Sequence, residues 1–422
     1  MKKVTLNLII VLAIFISCKK EAGFILENPL NVIRTDEVII LTRAQIEQKL
    51  ELKVGMFPVF KTTDGKLISS QVDDLDGDGN WDETVLVLDF AASESKEIMA
   101  EFVSETEYPE FEKRTNLSLK IKQEDGSYKE FDNYRALPCS DGFEVIAMAE
   151  SVSWENDKIA FRNYFDCRNV KDLFGKLLPG MILDKIGTPE MGSYHNLSDW
   201  GMDVLHCGSS LGSGGLAIMK NDSLYRLGST DVYEYQKLVE GPVRSVFELR
   251  YSGWDVNGEK LKAVERITIY PGKYWFESDV TFKGSSDGDQ IVTGIVTSKL
   301  KREPFEFKTG NFQCIGTHDV QSLNNDELGL AVIVPLSEAG KIGRTTDINF
   351  FNLGNQTVVG KGFSNIISET YYIGQKCKSA VSAKHYFFSV WGLDKDQWKT
   401  EEGFRKYITE EAEKLSASMV VK

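Results

Sequence analysis

The chain is poor in basic side chains and in long apolar runs, and each shortage excludes a class of partner or structure. Its 422 residues hold 49 Lys and Arg against 63 Asp and Glu, which gives a formal net charge of −14. Binding to nucleic acid depends on clustered basic residues that neutralise phosphates, so we expect no nucleic-acid partner. A single apolar run, residues 6–16, is interrupted by Asn7 and is shorter than the ~20 residues that cross a bilayer.

The sequence also lacks the short motifs of several common chemistries. Its six cysteines show no CxxC and no zinc-ligand spacing. Neither G-x-S-x-G nor H-E-x-x-H occurs, and the glycine-rich stretch 208–215 lacks the Gly-Lys-Ser/Thr ending of a phosphate-binding loop. Zinc sites, serine hydrolases, metalloproteases and nucleotide-binding folds therefore have no local support. We expect the protein to require no cofactor.

The first residues have the layout of an export signal. A basic start at residues 1–3 precedes the apolar run, and Cys18 follows the tripeptide Phe-Ile-Ser. This arrangement resembles a bacterial lipobox, which implies a signal peptide over residues 1–17, lipidation of Cys18 and a tether over residues 18–28. We expect an exported lipoprotein that its acyl chains hold on the outer membrane, facing the periplasm or the cell surface. Ordinary secretion with an incidental cysteine is the alternative.

The rest of the chain has mainly the pattern of β-structure. Residues 243–251 and 274–282 alternate between apolar or aromatic and polar side chains, and this period of two predicts half-buried strands. Strand candidates recur at hairpin spacing, which favours antiparallel pairing, and helical spacing of apolar residues predicts one helix over residues 398–416. We therefore expect an all-β-dominated fold. A small β-unit at residues 29–110 is expected to pack on a large antiparallel β-sandwich with a C-terminal helix at residues 111–422.

The sharpest local motif is an acidic loop. Alternating carboxylates with a glycine at the sixth place match the first half of a calcium loop. The carboxylates are Asp74, Asp76, Asp78 and Asp82. The twelfth place holds Val85, where that loop needs a glutamate, and the flanking segments have the pattern of strands. A partial structural Ca²⁺ site and an Asp/Gly turn that closes a hairpin both stay open.

The stretch from residue 154 to residue 206 holds the richest mixture of chemical groups. Two of the four histidines, His195 and His206, lie here among aromatic, acidic and basic side chains. Such a mixture suits sugars, since aromatic rings stack on the apolar ring face and charged groups bind hydroxyls. A uronic acid would also need a cation for its carboxylate. The candidates for contact with the substrate are Arg162, Arg168, Lys176, Asp199 and Trp200.

Two parts of the sequence resemble a known family. These are residues 71–89 and the pattern Arg162 … Tyr194-His195 … Asp199-Trp200-Gly201-Met202-Asp203. Together with the lipobox they are similar to a lipoprotein family of Bacteroidota from polysaccharide-utilisation loci, which includes an oligosaccharide dehydratase of ulvan degradation. The resemblance implies a galactose-mutarotase-like super-sandwich. It also implies removal of water from a saturated uronic acid at the non-reducing end of an oligosaccharide, which leaves an unsaturated uronyl end.

Elimination of water across C4–C5 of a uronate requires a base for the C5 proton and an acid for the departing hydroxyl. We assign the base to His195, because the pKa of an imidazole lies near neutral pH. Tyr194 or His206 would be the acid, and Asp203 would orient a histidine. A polysaccharide lyase, a hexose epimerase and a non-catalytic carbohydrate-binding lipoprotein are the alternatives.

Overall fold

A computed structural model describes residues 21–52, 54–136, 146–166, 168–228, 230–345 and 367–422. Over these residues the protein is mostly antiparallel β-sheet with one long C-terminal helix, which confirms the expected fold class. Cys18 and the signal peptide lie outside the described residues, so the lipid anchor stays a prediction. Among the helices of the described ranges, none combines the length and the apolar character of a membrane span.

Six strands and one short helix come first along the chain. They are β1 (Ala22–Glu27), β2 (Arg34–Thr42), α1 (Arg43–Glu47), β3 (Met56–Thr62), β4 (Ser70–Asp73), β5 (Glu83–Phe90) and β6 (Ser95–Ser104). Strands β1, β6 and β3 pair in one sheet, and β2, β5 and β4 pair in a second. Their apolar faces enclose a core of their own that includes Phe24, Leu41 and Phe60. We refer to this part as the N-terminal unit.

The middle of the chain supplies most of the remaining strands. They are β7 (Thr115–Ser118), β8 (Lys120–Lys122), β9 (Tyr128–Glu130), β10 (Asn133–Ala136), β11 (Ser151–Asn156), β12 (Ile159–Tyr164), β13 (Lys171–Lys176), β14 (Gly201–Asp203), β15 (Ser213–Lys220), β16 (Ser223–Arg226), β17 (Val232–Glu240), β18 (Ser245–Val256), β19 (Glu259–Ile269), β20 (Trp275–Lys283) and β21 (Gln290–Val296). The two segments that sequence alternation marked as strands fall largely within β18 and β20.

The last part of the chain completes the sheets and adds the helix. Its elements are β22 (Phe305–Thr309), β23 (Phe312–Val320), β24 (Glu327–Pro335), β25 (Ala339–Arg344), β26 (Thr370–Lys376), β27 (Ser382–Trp391), α2 (Glu401–Ser416) and β28 (Val420–Val421). Strand β28 pairs with β1, so the C-terminal end of the chain adds a strand to the N-terminal unit.

Two layers of sheet form the main sandwich. One layer is a nine-stranded sheet in the order β10-β17-β18-β19-β20-β27-β24-β23-β22. The other contains the five-stranded sheets β14-β13-β12-β11-β7 and β16-β15-β21-β26-β25, which meet where Lys171 bridges to Gly212. Aromatic side chains from the two layers interlock: the Trp154 ring lies 5.2 Å from Phe276 and 5.3 Å from Phe247. Burial of these apolar surfaces is the main force that holds the layers together.

Helix α2 covers the outer face of the nine-stranded sheet. Thr400 caps its first turn, because its side chain accepts a hydrogen bond from the Gly403 N–H at 3.1 Å. The side chains it buries against the sheet are Phe404, Ile408 and Ala412. The helix begins at Glu401, three residues later than predicted, since Asp396–Lys399 forms a separate 3₁₀ turn.

Candidate functional site

Strand alternation gives the five-stranded sheet β14-β13-β12-β11-β7 one mainly apolar face and one face with several charged side chains. The apolar face contributes Trp154, Phe161 and Leu173 to the sandwich core. The charged side chains on the opposite face include Glu155, Arg162, Asp172 and Lys176. Residues 177–200, which we call the covering segment, lie over part of this charged face and pack Ile182, Leu183 and Ile186 on Phe174. Charged groups buried beneath such a cover need partners of opposite charge.

Arg162 is the centre of one such network. The antiparallel register sets it directly opposite Asp172 on β13. Its Nε and Nη2 atoms donate to Asp172 Oδ2 at 3.0 and 2.6 Å, and Nη2 also donates to Asp203 Oδ2 at 2.7 Å. All three side chains are buried. One guanidinium therefore faces two carboxylates, and the trio carries a net negative charge when both acids are ionised.

The network reaches the surface at His195. Its Nδ1 lies 3.1 Å from Asp203 Oδ2, and the imidazole is 56 % exposed while Asp203 is only 3 % exposed. The hydrogen bond to Asp203 raises the pKa of His195 above its ordinary value. The chain holds this pair together through the backbone, because the Asp203 N–H donates to the Tyr194 carbonyl at 2.8 Å. The Tyr194 ring lies beside the imidazole, with 4.3 Å between ring centroids.

Tyr164 and Asp172 belong to this site although neither was predicted. The Tyr164 hydroxyl donates to Asp172 Oδ2 at 2.9 Å and accepts from Arg162 Nη2 at 2.9 Å. Burial raises the pKa of Tyr164, so its phenol stays protonated and remains a donor. The available signal for Asp172 is an acid within a short strand that also holds Leu173 and Phe174, since an acid buried in a sheet needs a partner across it.

Arg168 also contacts Tyr164. Its guanidinium carbon is 3.9 Å from the centre of the Tyr164 ring, and it pairs with Asp166 and, at 3.0 Å, with Glu150. Ala149 and Glu150 both adopt left-handed backbone conformations, with φ of 50° and 61°. Consecutive non-glycine residues in this region store strain, which concentrates at functional sites.

The structure brings only some of the predicted site residues together. Lys176 is buried and pairs with Glu155 at 2.7 Å, apart from the His195 pair. His206 is exposed, and its Nδ1 lies 3.3 Å from Ser298 Oγ. Trp200 is half-buried against Phe174, at 6.3 Å between ring centroids. The remaining candidate, Asp199, is exposed within the covering segment.

The acidic loop joins β4 to β5 in a hairpin. Carboxylate oxygens of Asp74, Asp76 and Asp78 lie within 4.8 Å of one another, a spacing that suits a cation. Asp82 is used elsewhere, because its Oδ2 accepts from the Leu75 N–H at 2.6 Å. The carboxylates of Asp74, Asp76 and Asp78 also accept hydrogen bonds from backbone N–H groups of the loop. For example, the Gly77 N–H donates to Asp74 at 2.8 Å. This pattern is that of an Asp/Gly turn, and the calcium site stays a prediction.

Comparisons with known proteins found one family and several similar proteins. A protein of Formosa agariphila called "Uncharacterized protein P7" is 24 % identical over 429 residues, 97 % of this chain and 96 % of that protein. Two solved structures from Enterococcus faecalis, an alpha-mannosidase and a protein in glycosyl hydrolase family 38, are each 9 % identical, with a TM-score of 0.47. Each matches 95 % of this chain, which spans about half of their length, 46 % and 47 %. The family model "Domain of unknown function (DUF4861)" matches residues 26–421, and the chain therefore belongs to the DUF4861 family.

Proposed function

We propose that the protein is a hydro-lyase that removes water from a saturated uronic acid at the non-reducing end of an oligosaccharide. The supporting observation is the exposed His195 imidazole, which is bonded through Nδ1 to the buried Asp203 carboxylate. This bond holds one tautomer and leaves Nε2 as the atom that can accept a proton from a substrate. Export and a lipid anchor at Cys18 on the outer membrane belong to the same proposal.

The proposed reaction uses one base and one acid. His195 Nε2 takes the proton from C5, and the C–H electrons form the C4=C5 double bond. The bond from C4 to its hydroxyl breaks, and an acid delivers a proton to that oxygen so that it leaves as water. Tyr194 is the proposed acid because its ring lies beside the imidazole, whereas His206 contacts Ser298.

The uronate carboxylate must be neutralised for its C5 proton to become acidic. Among the three predicted cations, Arg168 is 19 % exposed, against 2 % for Arg162 and 1 % for Lys176. We therefore assign the carboxylate contact to Arg168, which would exchange its pairing with the half-buried Glu150, at 3.0 Å, for the uronate. Arg162 takes the part of a positioning residue, since it holds Asp203 beneath His195.

Incubation of the purified protein with saturated glucuronate-terminated oligosaccharides tests the proposal. Loss of one water by mass spectrometry, together with ultraviolet absorbance from the new conjugated double bond, would support it. Shortened chains would identify a polysaccharide lyase, and unchanged mass with altered stereochemistry would identify an epimerase. Binding without any chemical change would identify a carbohydrate-binding module.

Two variants then separate the candidate acids. We expect Tyr194→Phe to lower the rate of dehydration by about 10²-fold, because it removes the proton donor beside the base. His206→Ala should keep most of the rate, since its ring contacts a different loop. Kinetic constants measured with the same substrate check both. The reverse result would move the acid to His206.

A further inference from the structure

A cleft lies where the N-terminal unit meets the sandwich. It encloses about 630 Å³ between strands β3 and β4, residues 105–111 and the turn from β17 to β18. Junctions between structural units are common places for ligand clefts. None of the residues around His195 lines it, so it is separate from the site described above.

Three half-buried aromatic rings form one wall of this cleft. Phe57 and Tyr108 meet edge to face at 6.2 Å, and Tyr108 and Phe111 do so at 6.4 Å. The Tyr108 hydroxyl is 3.1 Å from Ser70 Oγ, which holds the central ring in place. The wall therefore offers apolar ring surface in a fixed arrangement.

The floor of the cleft is rigid. The Gln71 amide donates to Asp73 at 2.7 Å and to the Arg244 carbonyl at 3.0 Å, and its oxygen accepts from the Val243 and Arg244 N–H groups. A Cβ atom on Gly241 would lie 2.4 Å from the same amide oxygen, so the turn approaches Gln71 as closely as glycine allows. A ligand would thus meet a preformed surface, with little ordering cost.

The charge of the lining selects the type of ligand. Among the described residues that line the cleft there is no Lys, Arg or His. Glu240 is paired with Lys113 and Lys237, whereas Glu105 and Glu110 are exposed and form no ion pair with any described residue. Anionic sugars would be repelled by these two carboxylates.

We propose that this cleft binds an uncharged sugar unit. The rings of Tyr108 and Phe111 would cover the apolar C–H face of the sugar, and the carboxylates of Glu105 and Glu110 would accept hydrogen bonds from its hydroxyls. This site is independent of the proposed dehydratase activity.

An array of neutral, uronate-containing and amino-sugar oligosaccharides tests this cleft on the full mature chain. We expect neutral members to bind, and to bind about tenfold more weakly to Phe111→Leu and to Glu110→Gln. Glu112→Gln is the matched control, because Glu112 is exposed two residues away and does not line the cleft. His195→Ala should leave this binding unchanged, which separates it from failure of the dehydratase proposal.

Several results would overturn the inference. Binding confined to uronate-containing members would contradict the charge argument, and binding confined to amino sugars would identify a cation site. Binding of neutral sugars that neither cleft variant weakens would place the ligand elsewhere. An array on which no neutral oligosaccharide binds would remove the site altogether.

Discussion

Two groups of buried charges lie on the same face of the sheet β14-β13-β12-β11-β7. They differ in whether they connect to a solvent-exposed side chain. Lys176 and Glu155 are closed off: their side chains are 1 % and 0 % exposed, and Glu155 Oε1 also accepts backbone N–H groups of the covering segment at 2.8 and 2.9 Å. The Arg162 network has the same chemistry, yet through Asp203 it extends to His195, whose ring is mostly in solvent.

This difference separates a folding role from a chemical one. In the pair of Lys176 and Glu155, both charges are matched inside the protein. Because Glu155 also accepts backbone N–H groups of the covering segment, this pair holds that segment on the sheet. In the open network the last member can gain or lose a proton, because it contacts solvent on one side and a buried carboxylate on the other. Buried charge by itself therefore does not indicate a functional site. A buried network that includes a solvent-exposed titratable side chain is the better indicator.

The open network should carry activity with little effect on stability. We expect His195→Ala to lower kcat/KM for dehydration by about 10²–10⁴-fold, since it removes the proposed base. Because the side chain is exposed, the free energy of unfolding should change by less than about 0.5 kcal/mol. Steady-state kinetics and denaturant unfolding check the two parts. Asn196→Ala, at the exposed neighbouring residue, is the control. Full activity in the His195 variant would contradict the assignment of His195 as the base.

The closed pair should behave in the opposite way. Glu155→Ala leaves Lys176 buried without its carboxylate, and we expect the free energy of unfolding to fall by about 3–5 kcal/mol. Urea unfolding followed by fluorescence measures the loss. Glu190→Ala, an exposed acid on the covering segment, should unfold like the wild type. Equal stability of the two variants would mean that the pair does not fasten the segment.

Asp203→Asn tests the link between the buried network and the surface. The Asp203 hydrogen bond raises the pKa of His195, and the proposed base acts only when deprotonated, so wild-type activity should rise with pH through this raised pKa. Removing the carboxylate charge should move that rise to lower pH, with a lower maximal rate. The pH profile of kcat/KM, with NMR titration of the imidazole, measures the shift. An unmoved profile would show that another group controls the activity.

The same pair also links pH to stability. The pKa of His195 is higher in the folded state than its value of about 6.5 in the unfolded state, so the stability that the His195–Asp203 pair contributes is complete below that pH. It disappears as the pH rises through the folded-state pKa. Unfolding of the wild type and of Asp203→Asn compared at pH 5.5 and pH 8.5 should therefore differ more at the lower pH, where about one full positive charge sits on His195.

The smallest effect is expected in the acidic loop, where the carboxylates are largely exposed. Asp76 is exposed and accepts a hydrogen bond from the Asp78 N–H at 3.1 Å, so Asp76→Asn should change the free energy of unfolding by less than about 0.5 kcal/mol. Unfolding with and without added Ca²⁺ measures this. A variant that loses stability only in Ca²⁺ would favour the calcium alternative over the turn.

Much of the fold was predictable because strand alternation is a local property. The pattern in residues 243–251 and 274–282 needs only neighbouring side chains to be recognised, and these residues lie in or beside β18 and β20. The order of the nine-stranded sheet was not predictable, since β20 pairs with β27 across more than a hundred residues of sequence. Strand partners are selected by packing between distant segments.

The candidate site was predictable in part for the same reason. His195 and Asp203 are eight residues apart and were both candidates, but their contact depends on how the covering segment folds back to β14. Asp172 was missed because its partner Arg162 is set by the register between β12 and β13, which no local motif shows. Lys176 looked available for a carboxylate, yet the structure shows it engaged by Glu155.

The sequence by itself determined the β-rich composition, the alternation of the strands, the acidic balance and the concentration of reactive side chains between residues 154 and 206. Tertiary structure decided which of those side chains are used inside the protein and which reach solvent. The physical reason is that the availability of a charge depends on its partner and its burial. Both are set by strand register and by the segment that covers the sheet, and neither is encoded by the identity of one residue.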